Sequence, residues 1–545
     1  MEAQNLHLSI EAEKPISGGL LDSLNTQFGF KDYLSLKREV DTFHFKLEQI
    51  GYIENELQSL QKKNDSSYVA IFFFGKKYNS IKVFYSKKDF DKKELLQITS
   101  EITDDYFILP FEEIESSLQK LNTLKTDKGN VFAKLRLEKI KKENNTSLSA
   151  HLILEGGPKR TIDGIVIKGY EKFPKSFLKY YAGIKTGIIF NQKKIVTKSE
   201  LLNTLGFVSN IKPPEALFKK DSTTVYFYLK KQNNNLFDGI LGFATDEETQ
   251  KLKFNGYLNL ELNNNLNFGE QFILNYKADG NDQQNFRVKA NLPFLFRTPF
   301  GLGLELKIFK RDSTFVTTEQ QVRITYQINT SSNSYIGYKS YDSSNLQDEI
   351  FAGPPIEDFN SKFLTLGISY SKKQNNTLFP IKSHIALDSE IGARELKNSR
   401  ESQFRVSSIF SYIFNLNFKN SIYLQNTSSV LSSDTYLTNE LFRFGGINSI
   451  RGFNENSIDA SLYTVLNTEY RYQFNEGMYL HSIIDFAYFE NQTLLLKQKL
   501  YSFGFGMGLN TKAGIFKFNI ANGNSDDQDF SFSNTKIHLS LSSRF

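Results

Sequence analysis

The chain has 545 residues, enough for three or four domains. It contains no cysteine, which excludes a disulfide framework and cysteine-based metal sites, and its net charge of +6 is too small and too dispersed to indicate a nucleic-acid partner. With 50 Phe and 27 Tyr but no Trp, the composition is typical of a β-rich protein. The chain has no run of 18 or more apolar residues, so no transmembrane helix is predicted. The first residues lack the basic and apolar regions of a signal peptide, which by itself predicts a cytosolic protein, but the second half of the chain favours a mature protein whose leader has been replaced.

Residues 1 to about 233 contain a repeat with a spacing of roughly 75 to 85 residues. In the third copy the pattern predicts a strand over 162–168, a helical stretch over 173–181, a second helix that ends at Gly206, and closing strands that finish at 223–229. The first copy has a strand over 6–10, a helix over 36–50 that ends at Gly51, and a closing strand over 68–73. Glycine at both junctions suits the left-handed conformation that ends a helix.

The middle copy is predicted to have a strand over 81–84, a helix over 111–124 and paired strands over 131–137 and 147–154, without the glycine–aromatic junction. The β-α-α-β-β order resembles the POTRA (polypeptide-transport-associated) domain, three in tandem over 1–77, 78–158 and 159–233; an unrelated α+β repeat is the alternative. The resemblance implies that exposed edge strands bind an incoming extended peptide.

From 234 to 545, segments of about ten residues alternate apolar and polar positions. One face carries Leu252, Phe254, Leu258, Leu260 and Leu262, and asparagine, aspartate, glycine and serine separate the segments. A soluble sandwich has the same period. The segment length and the aromatic residues at segment ends favour a transmembrane barrel of about sixteen antiparallel strands instead. The terminal Phe545 resembles the recognition signal of bacterial outer-membrane proteins.

A connection of about thirty residues, 432–461, is far longer than a hairpin loop. It is too apolar for a solvated loop, so we expect it to fold into the barrel lumen. Its tip, Ile450-Arg451-Gly452-Phe453, resembles the (V/I)RG(F/Y) tip of the long sixth outer loop in the BamA/TamA superfamily of POTRA-bearing outer-membrane barrels. Repeats, strand number and loop motif agree, so the resemblance covers nearly the whole chain, and three POTRA domains look most like the TamA arrangement.

In that superfamily the loop arginine meets an acidic residue on a strand that reads roughly F-x-D-x-G. Residues 483–487 match in position, which implies that Asp485 is the lumenal partner of Arg451, with Glu469 as its rival. Alternation directs Leu480, Ile484, Phe486 and Tyr488 towards lipid. An exposed surface arginine and an ordinary lumenal carboxylate are the alternative interpretations.

Glycines at every second position, Gly504, Gly506 and Gly508, clear one strand face, which we interpret as space for the folded-in loop. The chain departs from the family at Asn510, where a basic residue is common, and at Ser542, where glycine is common.

No enzyme is predicted. The six histidines show no metal-ligand spacing, and no nucleophile elbow, Walker loop or dinucleotide-binding glycine pattern occurs, so we expect no metal or cofactor. The resemblance implies a protein of the bacterial outer membrane, with periplasmic POTRA domains, that inserts or translocates other polypeptides. Its partners would be unfolded or partly folded outer-membrane or secreted polypeptides, outer-membrane lipids and periplasmic or lipoprotein accessory proteins. A two-partner secretion transporter is the first alternative; a diffusion porin, a receptor and a soluble β-rich interaction protein are the others.

Overall fold

The computed structural model describes residues 5–13, 16, 18–245, 252–278, 283–347, 355–376, 378–511, 514–526 and 531–542. The chain forms two compact units. The first comprises residues 1–164, 186–195 and 216–224, and the second comprises residues 165–185, 196–215 and 225–545.

The first repeat is a four-stranded sheet covered by one long helix. Its elements are β1 (Leu6–Ala12), α1 (Gly18–Ser23), β2 (Gly29–Phe30), α2 (Tyr33–Gln49), β3 (Glu56–Asn64) and β4 (Ser67–Phe73), with strand order β2-β1-β4-β3. The Asp32 side chain accepts a hydrogen bond from the Ser35 amide, 2.7 Å away, and so caps α2. The buried face of α2 has helical spacing: Leu36, Val40, Phe43 and Leu47. Gly51, with φ +103°, follows the helix as predicted.

The second repeat has the same plan. Its elements are β5 (Ser80–Phe84), α3 (Lys92–Leu95), β6 (Tyr106–Pro110), α4 (Ile114–Asp127), β7 (Lys134–Lys142) and β8 (Ser147–Glu155), with strand order β6-β5-β8-β7. In both repeats the first and last strands pair in parallel. The sequence interpretation missed β2 and β6, because two to five residues are too few to show a period. The strand expected over 131–137 begins only at Lys134, since residues 131–133 form a turn.

A buried charge cluster joins the two helices of the second repeat. The Glu94 carboxylate lies 2.6 Å from Lys125 Nζ and 2.7 Å from Lys128 Nζ. Burial acts to raise the pKa of Glu94, but the hydrogen bonds from the two lysines outweigh it and hold that pKa below its ordinary value. The pairs therefore tie α4 to the N-terminus of α3.

The third repeat has three strands. Its elements are β9 (Gly164–Gly169), α5 (Gln192–Glu200), β10 (Val208–Phe218) and β11 (Thr223–Lys231), in the order β10-β11-β9. The helix predicted over 173–181 is only a π-helical turn, Phe177–Tyr181. A 3-10 segment, Leu201–Leu205, follows α5 and ends at Gly206, whose φ is +80°. No helix among the described residues is long and apolar enough to cross a membrane.

Sixteen antiparallel strands follow, each hydrogen-bonded to its neighbours in chain order, which confirms the predicted fold class. They are β12 (Leu236–Thr245), β13 (Leu252–Asn263), β14 (Gln271–Ala278), β15 (Gln284–Leu292), β16 (Phe300–Arg311), β17 (Phe315–Gln327), β18 (Ser332–Asn345), β19 (Phe359–Lys373), β20 (Ile381–Glu395), β21 (Arg400–Asn415), β22 (Asn420–Ser432), β25 (Leu462–Asn475), β26 (Met478–Asn491), β27 (Leu496–Thr511), β28 (Gly514–Ser525) and β29 (Thr535–Ser542). A separate two-stranded hairpin, β23 (Phe442–Phe444) with β24 (Ile458–Ala460), lies between β22 and β25.

The sheet curls until its first and last strands approach each other. Cα atoms of β12 and β29 come within 8 Å, yet in the described parts of these strands β12 pairs only with β13 and β29 only with β28. The barrel therefore has a seam without a hydrogen-bonded ladder.

The two faces of the barrel wall have opposite chemistry. On β17, Val322 and Ile324 are about half exposed on the outside, 48% and 53%. On the inside, Lys339 Nζ lies 3.3 Å from Glu319 and 3.0 Å from Glu390. An apolar outer surface around a charged interior is the reverse of a soluble sandwich and is typical of a membrane barrel.

Candidate functional site

The connection between β22 and β25 folds back into the barrel. Its hairpin, β23 with β24, packs on the wall, where the ring of Phe444 stacks on Tyr463 with centroids 4.7 Å apart. Ile450 is fully buried. It belongs to an apolar cluster whose other buried members are Phe444, Ala460, Val465, Ala487, Phe489 and Leu500. The loop tip is thus part of the interior of the second unit.

Arg451 is the centre of the contacts that the loop tip makes. Its Nη2 lies 2.6 Å from Asp485 Oδ1 and its Nε lies 2.9 Å from Asp485 Oδ2, and its backbone N–H donates to the same carboxylate at 3.1 Å. Nη1 pairs with Glu469. Asp485 lies on β26, and Glu469 lies on the neighbouring strand β25. The residue directly opposite Asp485 on β25 is Asn467, two positions before Glu469, so the two carboxylates lie side by side on the wall. The structure therefore brings together three residues that the sequence singled out.

Glu469 has a second cationic partner. Arg471 Nε lies 2.7 Å from Glu469 Oε2, and the guanidinium of Arg471 covers the rings of Tyr423 and Phe379 at 4.0 and 4.4 Å. Two arginines and two carboxylates thus balance inside the wall. A buried network of this kind is favourable only while every member is present, because each remaining charge would otherwise be unpaired in a poorly hydrated site.

Gly452 brings the loop backbone against the wall. Its φ is +86°, and a Cβ placed there would lie 2.6 Å from Gly523 N and 2.9 Å from Gly523 Cα. A Cβ on Gly523 would in turn lie 2.6 Å from the ring of Phe453. The Gly452 N–H also faces His538 Nε2 on β29, at 3.5 Å. Gly452 and Gly523 therefore form a pair of side-chain-free positions that lets β28 and the loop tip touch.

The glycine row on β27 has other neighbours. A Cβ at Gly506 would meet His481 and Asn519, and one at Gly508 would meet Tyr479. Gly504 faces the backbone of β28. The space above these glycines of β27 is therefore filled by side chains of β26 and β28 and not by the loop. The glycine that touches the loop tip is Gly523 of β28, which the sequence analysis did not single out. Phe545 lies outside the described residues.

The loop is also attached to the opposite wall, which the sequence analysis missed. Glu440, near the start of the loop, pairs with Arg394 of β20 and accepts a hydrogen bond from Gln403 of β21 at 2.8 Å. Asp459, near its end, is held by both terminal nitrogens of Arg311 at 2.6 and 2.9 Å. Because these partners are 46 and 148 positions apart in the chain, no local pattern could have revealed them.

We expect Arg394→Ala to free the start of the loop but not its tip. The substitution leaves the Glu440 carboxylate buried without its cation, which costs about 3 kcal/mol for a desolvated pair. Amide hydrogen exchange of residues 433–443 should therefore accelerate roughly 100-fold, whereas that of residues 447–453 should change little. Lys362→Ala removes an exposed pair with Glu395 and is the matched control. Unchanged exchange at 433–443 would show that Arg394 does not hold the loop.

Among the residues that the structure describes, no group of three or more His, Asp or Glu side chains is placed to hold a metal ion.

No protein-family model and no curated protein matches this sequence. Among solved structures, the chain is similar to BamA from Haemophilus ducreyi lacking POTRA domains 1–3, with a TM-score of 0.51 and 15% identity over 85% of this chain and 99% of that chain. It is also similar to CdiB from Escherichia coli, with a TM-score of 0.53 and 12% identity over 98% of this chain and 100% of that chain. At these identities the likeness shows the fold: POTRA-like repeats followed by a sixteen-stranded barrel.

Proposed function

We propose that this protein resides in the bacterial outer membrane, with its repeats in the periplasm, and inserts other polypeptides into that membrane or passes them across it. The observation that carries the proposal is the combination of an unpaired seam between β12 and β29 with a lumen occupied by a loop that Arg451 fixes. A polypeptide channel needs a route that opens, and a seam without a ladder opens without breaking strand hydrogen bonds. The apolar outer face of the strands supplies the membrane-embedded surface.

The alternative within this class is a two-partner secretion transporter. The likeness to CdiB spans 98% of the chain, and CdiB is such a transporter, whereas BamA is an outer-membrane insertase. Three repeats favour the insertase, since secretion transporters of this fold normally carry two. We therefore place insertion of membrane proteins first and export of a secreted polypeptide second.

A diffusion porin is disfavoured by the contents of the lumen. The loop contacts β16 and β20 on one side and β25, β26 and β28 on the other, so it spans the interior. We expect small, flickering currents when the protein is placed in planar lipid bilayers, and larger ones for Arg451→Ala. A large, steady conductance of the unmodified protein would favour the porin.

The third repeat offers the strand edge best suited to bind an extended polypeptide. In the first two repeats, β2 and β6 cover the outer edges of β1 and β5, but β9 pairs only with β11 in the described residues. The other long edges are less suitable: β3 and β7 contain bulges, and β10 contains Pro213 and Pro214. The free edge of β9 is therefore where an incoming strand would pair.

A photo-crosslinking residue at Lys168, exposed on β9, should capture an unfolded outer-membrane protein added to the purified protein. The same residue at Lys63, exposed on the bulged strand β3, is the control and should capture much less. Equal capture at both positions would show that β9 is not the preferred edge.

A further inference from the structure

A cavity of about 870 Å³ lies where the third repeat meets the barrel turns that follow β13 and β15. It is bordered by residues 172–176, Lys179 and Tyr180 of the repeat, by Asn267 and Phe268 of the first turn, and by residues 292–297 of the second. All of these residues belong to the second compact unit. The cavity lies at the opposite end of the barrel from the 433–461 loop. The chain enters the barrel at the start of β12, and antiparallel strands bring it back to that end after β13 and after β15, whereas the loop follows β22, an odd-numbered strand of the barrel, and lies at the other end.

The walls of the cavity are fixed by direct contacts. Tyr170 Oη accepts from Asn264 at 2.9 Å and donates to Asn267 at 2.7 Å. The ring of Phe177 meets Phe294 edge-on at 4.8 Å, and Tyr180 Oη donates to the backbone carbonyl of Arg297 at 2.8 Å. The site is thus formed in advance and does not depend on a ligand to assemble it.

The lining combines apolar rings with an excess of positive charge. Of the described residues that line it, the charged ones are Lys172, Lys175, Lys179 and Arg297, and none is a carboxylate. The nearest acidic residue of the first turn, Glu270, is occupied by the backbone N–H groups of Leu266 and Phe268, at 2.6 and 3.0 Å. None of these four cations forms an ion pair within the part of the chain that the structure describes, and four such cations around an apolar floor are complementary to an anionic, amphipathic ligand.

The exposed side chains of the two turns point to the source of that ligand. Phe296 is 94% exposed, and Phe268 and Leu266 are 67% and 68% exposed. Phe294, Phe296 and Arg297 all have positive φ, between +52° and +60°, which few non-glycine residues adopt. Phe296 is both strained and almost fully exposed, which gains nothing in water, whereas at the edge of a bilayer an aromatic ring enters the head-group region. Phe300, at the start of β16, continues this surface into the lipid-facing wall.

We propose that this cavity binds the head group of an anionic phospholipid from the membrane leaflet on the repeat side, with Lys172, Lys175, Lys179 and Arg297 around the phosphate and with Phe296 and Phe268 among the acyl chains. The bound lipid would hold residues 172–180, which belong to the same compact unit as the barrel, at the membrane surface. This inference rests on the proposed function in so far as the barrel must be embedded in a membrane.

The absence of tryptophan from the chain allows a direct test. Phe296→Trp and, separately, Phe486→Trp each introduce a single fluorophore, the first at the cavity and the second on the lipid-facing side of β26, where Phe486 is 53% exposed. Each variant is reconstituted into phosphatidylcholine vesicles that contain a minor fraction of brominated phosphatidylglycerol or, in parallel, brominated phosphatidylcholine. Bromine quenches tryptophan only at contact, so quenching reports which lipid occupies each place.

We expect brominated phosphatidylglycerol to quench Trp at 296 with at least a fivefold preference over brominated phosphatidylcholine, since one basic residue near a membrane surface contributes about 1 kcal/mol. Lys172→Gln with Lys175→Gln and Lys179→Gln should remove most of the preference, as should high salt. At 486 the two lipids should quench equally.

Equal quenching at 296 by the two lipids would overturn the proposal. So would no quenching at 296 with normal quenching at 486, which would favour a polypeptide as the occupant of the cavity. Absence of quenching at both positions would instead reject the membrane-embedded barrel itself.

Discussion

Arg451→Ala is expected to release the loop tip from the barrel wall while the sixteen strands remain assembled. The substitution removes the only cation that Asp485 contacts in the described structure and one of the two that Glu469 contacts at hydrogen-bonding distance. Asp485 is completely buried, so the loss should cost about 3–5 kcal/mol of loop docking. Amide exchange over residues 444–457 should rise by a factor of 100 or more, and the strands should stay protected.

Three further variants give this prediction its controls. Arg400→Ala removes an exposed arginine that lies 3.7 Å from Glu395 and should leave the loop unchanged. Arg451→Lys should restore only part of the docking, because one ammonium cannot bind Asp485 through two parallel hydrogen bonds and reach Glu469 as well. The charge exchange Arg451→Asp with Asp485→Arg should also recover part of the loss. Normal protection of residues 444–457 in Arg451→Ala would show that the ion pairs do not hold the tip.

Gly452→Ala is expected to release the loop tip at least as completely as Arg451→Ala does, although it changes no charge. The left-handed conformation alone costs a non-glycine residue roughly 1–2 kcal/mol. In addition, the new Cβ would meet backbone atoms of Asn522 and Gly523 at 2.6 to 2.9 Å, and a strand inside a ladder cannot move aside as a flexible side chain can. The same exchange measurement over residues 444–457 reports the result.

Gly477→Ala is the matched control for the glycine substitution. Gly477 lies in a barrel turn where the nearest atom to a new Cβ is 3.5 Å away, an ordinary contact. If Gly452→Ala kept the loop docked, the close approach of the tip to β28 would not be required. If Gly477→Ala released the loop, the effect would come from general destabilisation of the barrel.

What the sequence could predict depends on how local the signal is. Alternation over single strands was enough to direct Leu480, Ile484 and Phe486 outwards and Asp485 inwards, as the structure has them. The resemblance of the loop motif then supplied the partner of Arg451. No such signal exists for Glu440 and Arg394, which meet only because the loop crosses the lumen.

The glycines show the same limit. The row at 504, 506 and 508 is conspicuous in the sequence, but its space is used by Tyr479, His481 and Asn519 of the adjacent strands. Gly523 stands in a polar stretch of β28 with nothing to distinguish it, yet it is the one that meets the loop tip. Which glycine admits the loop depends on the register between strands, and the register is set by the whole sheet.

The central claim is that polypeptides pass by way of the seam between β12 and β29, and a disulfide across that seam tests it most directly. The chain has no cysteine, so one cysteine introduced within 236–245 and one within 535–542 can form only a single disulfide. Several such pairs are made, and the pair that oxidises with the highest yield is used. Cysteines at the register partners Leu387 and Ser408 lock a ladder that is already closed and serve as the control. The readout is the rate at which an unfolded eight-stranded outer-membrane barrel inserts into vesicles that contain the protein. We predict that the oxidised seam pair abolishes the acceleration, that reductant restores it, and that the control pair has no effect. Undiminished insertion with the seam locked would contradict the account.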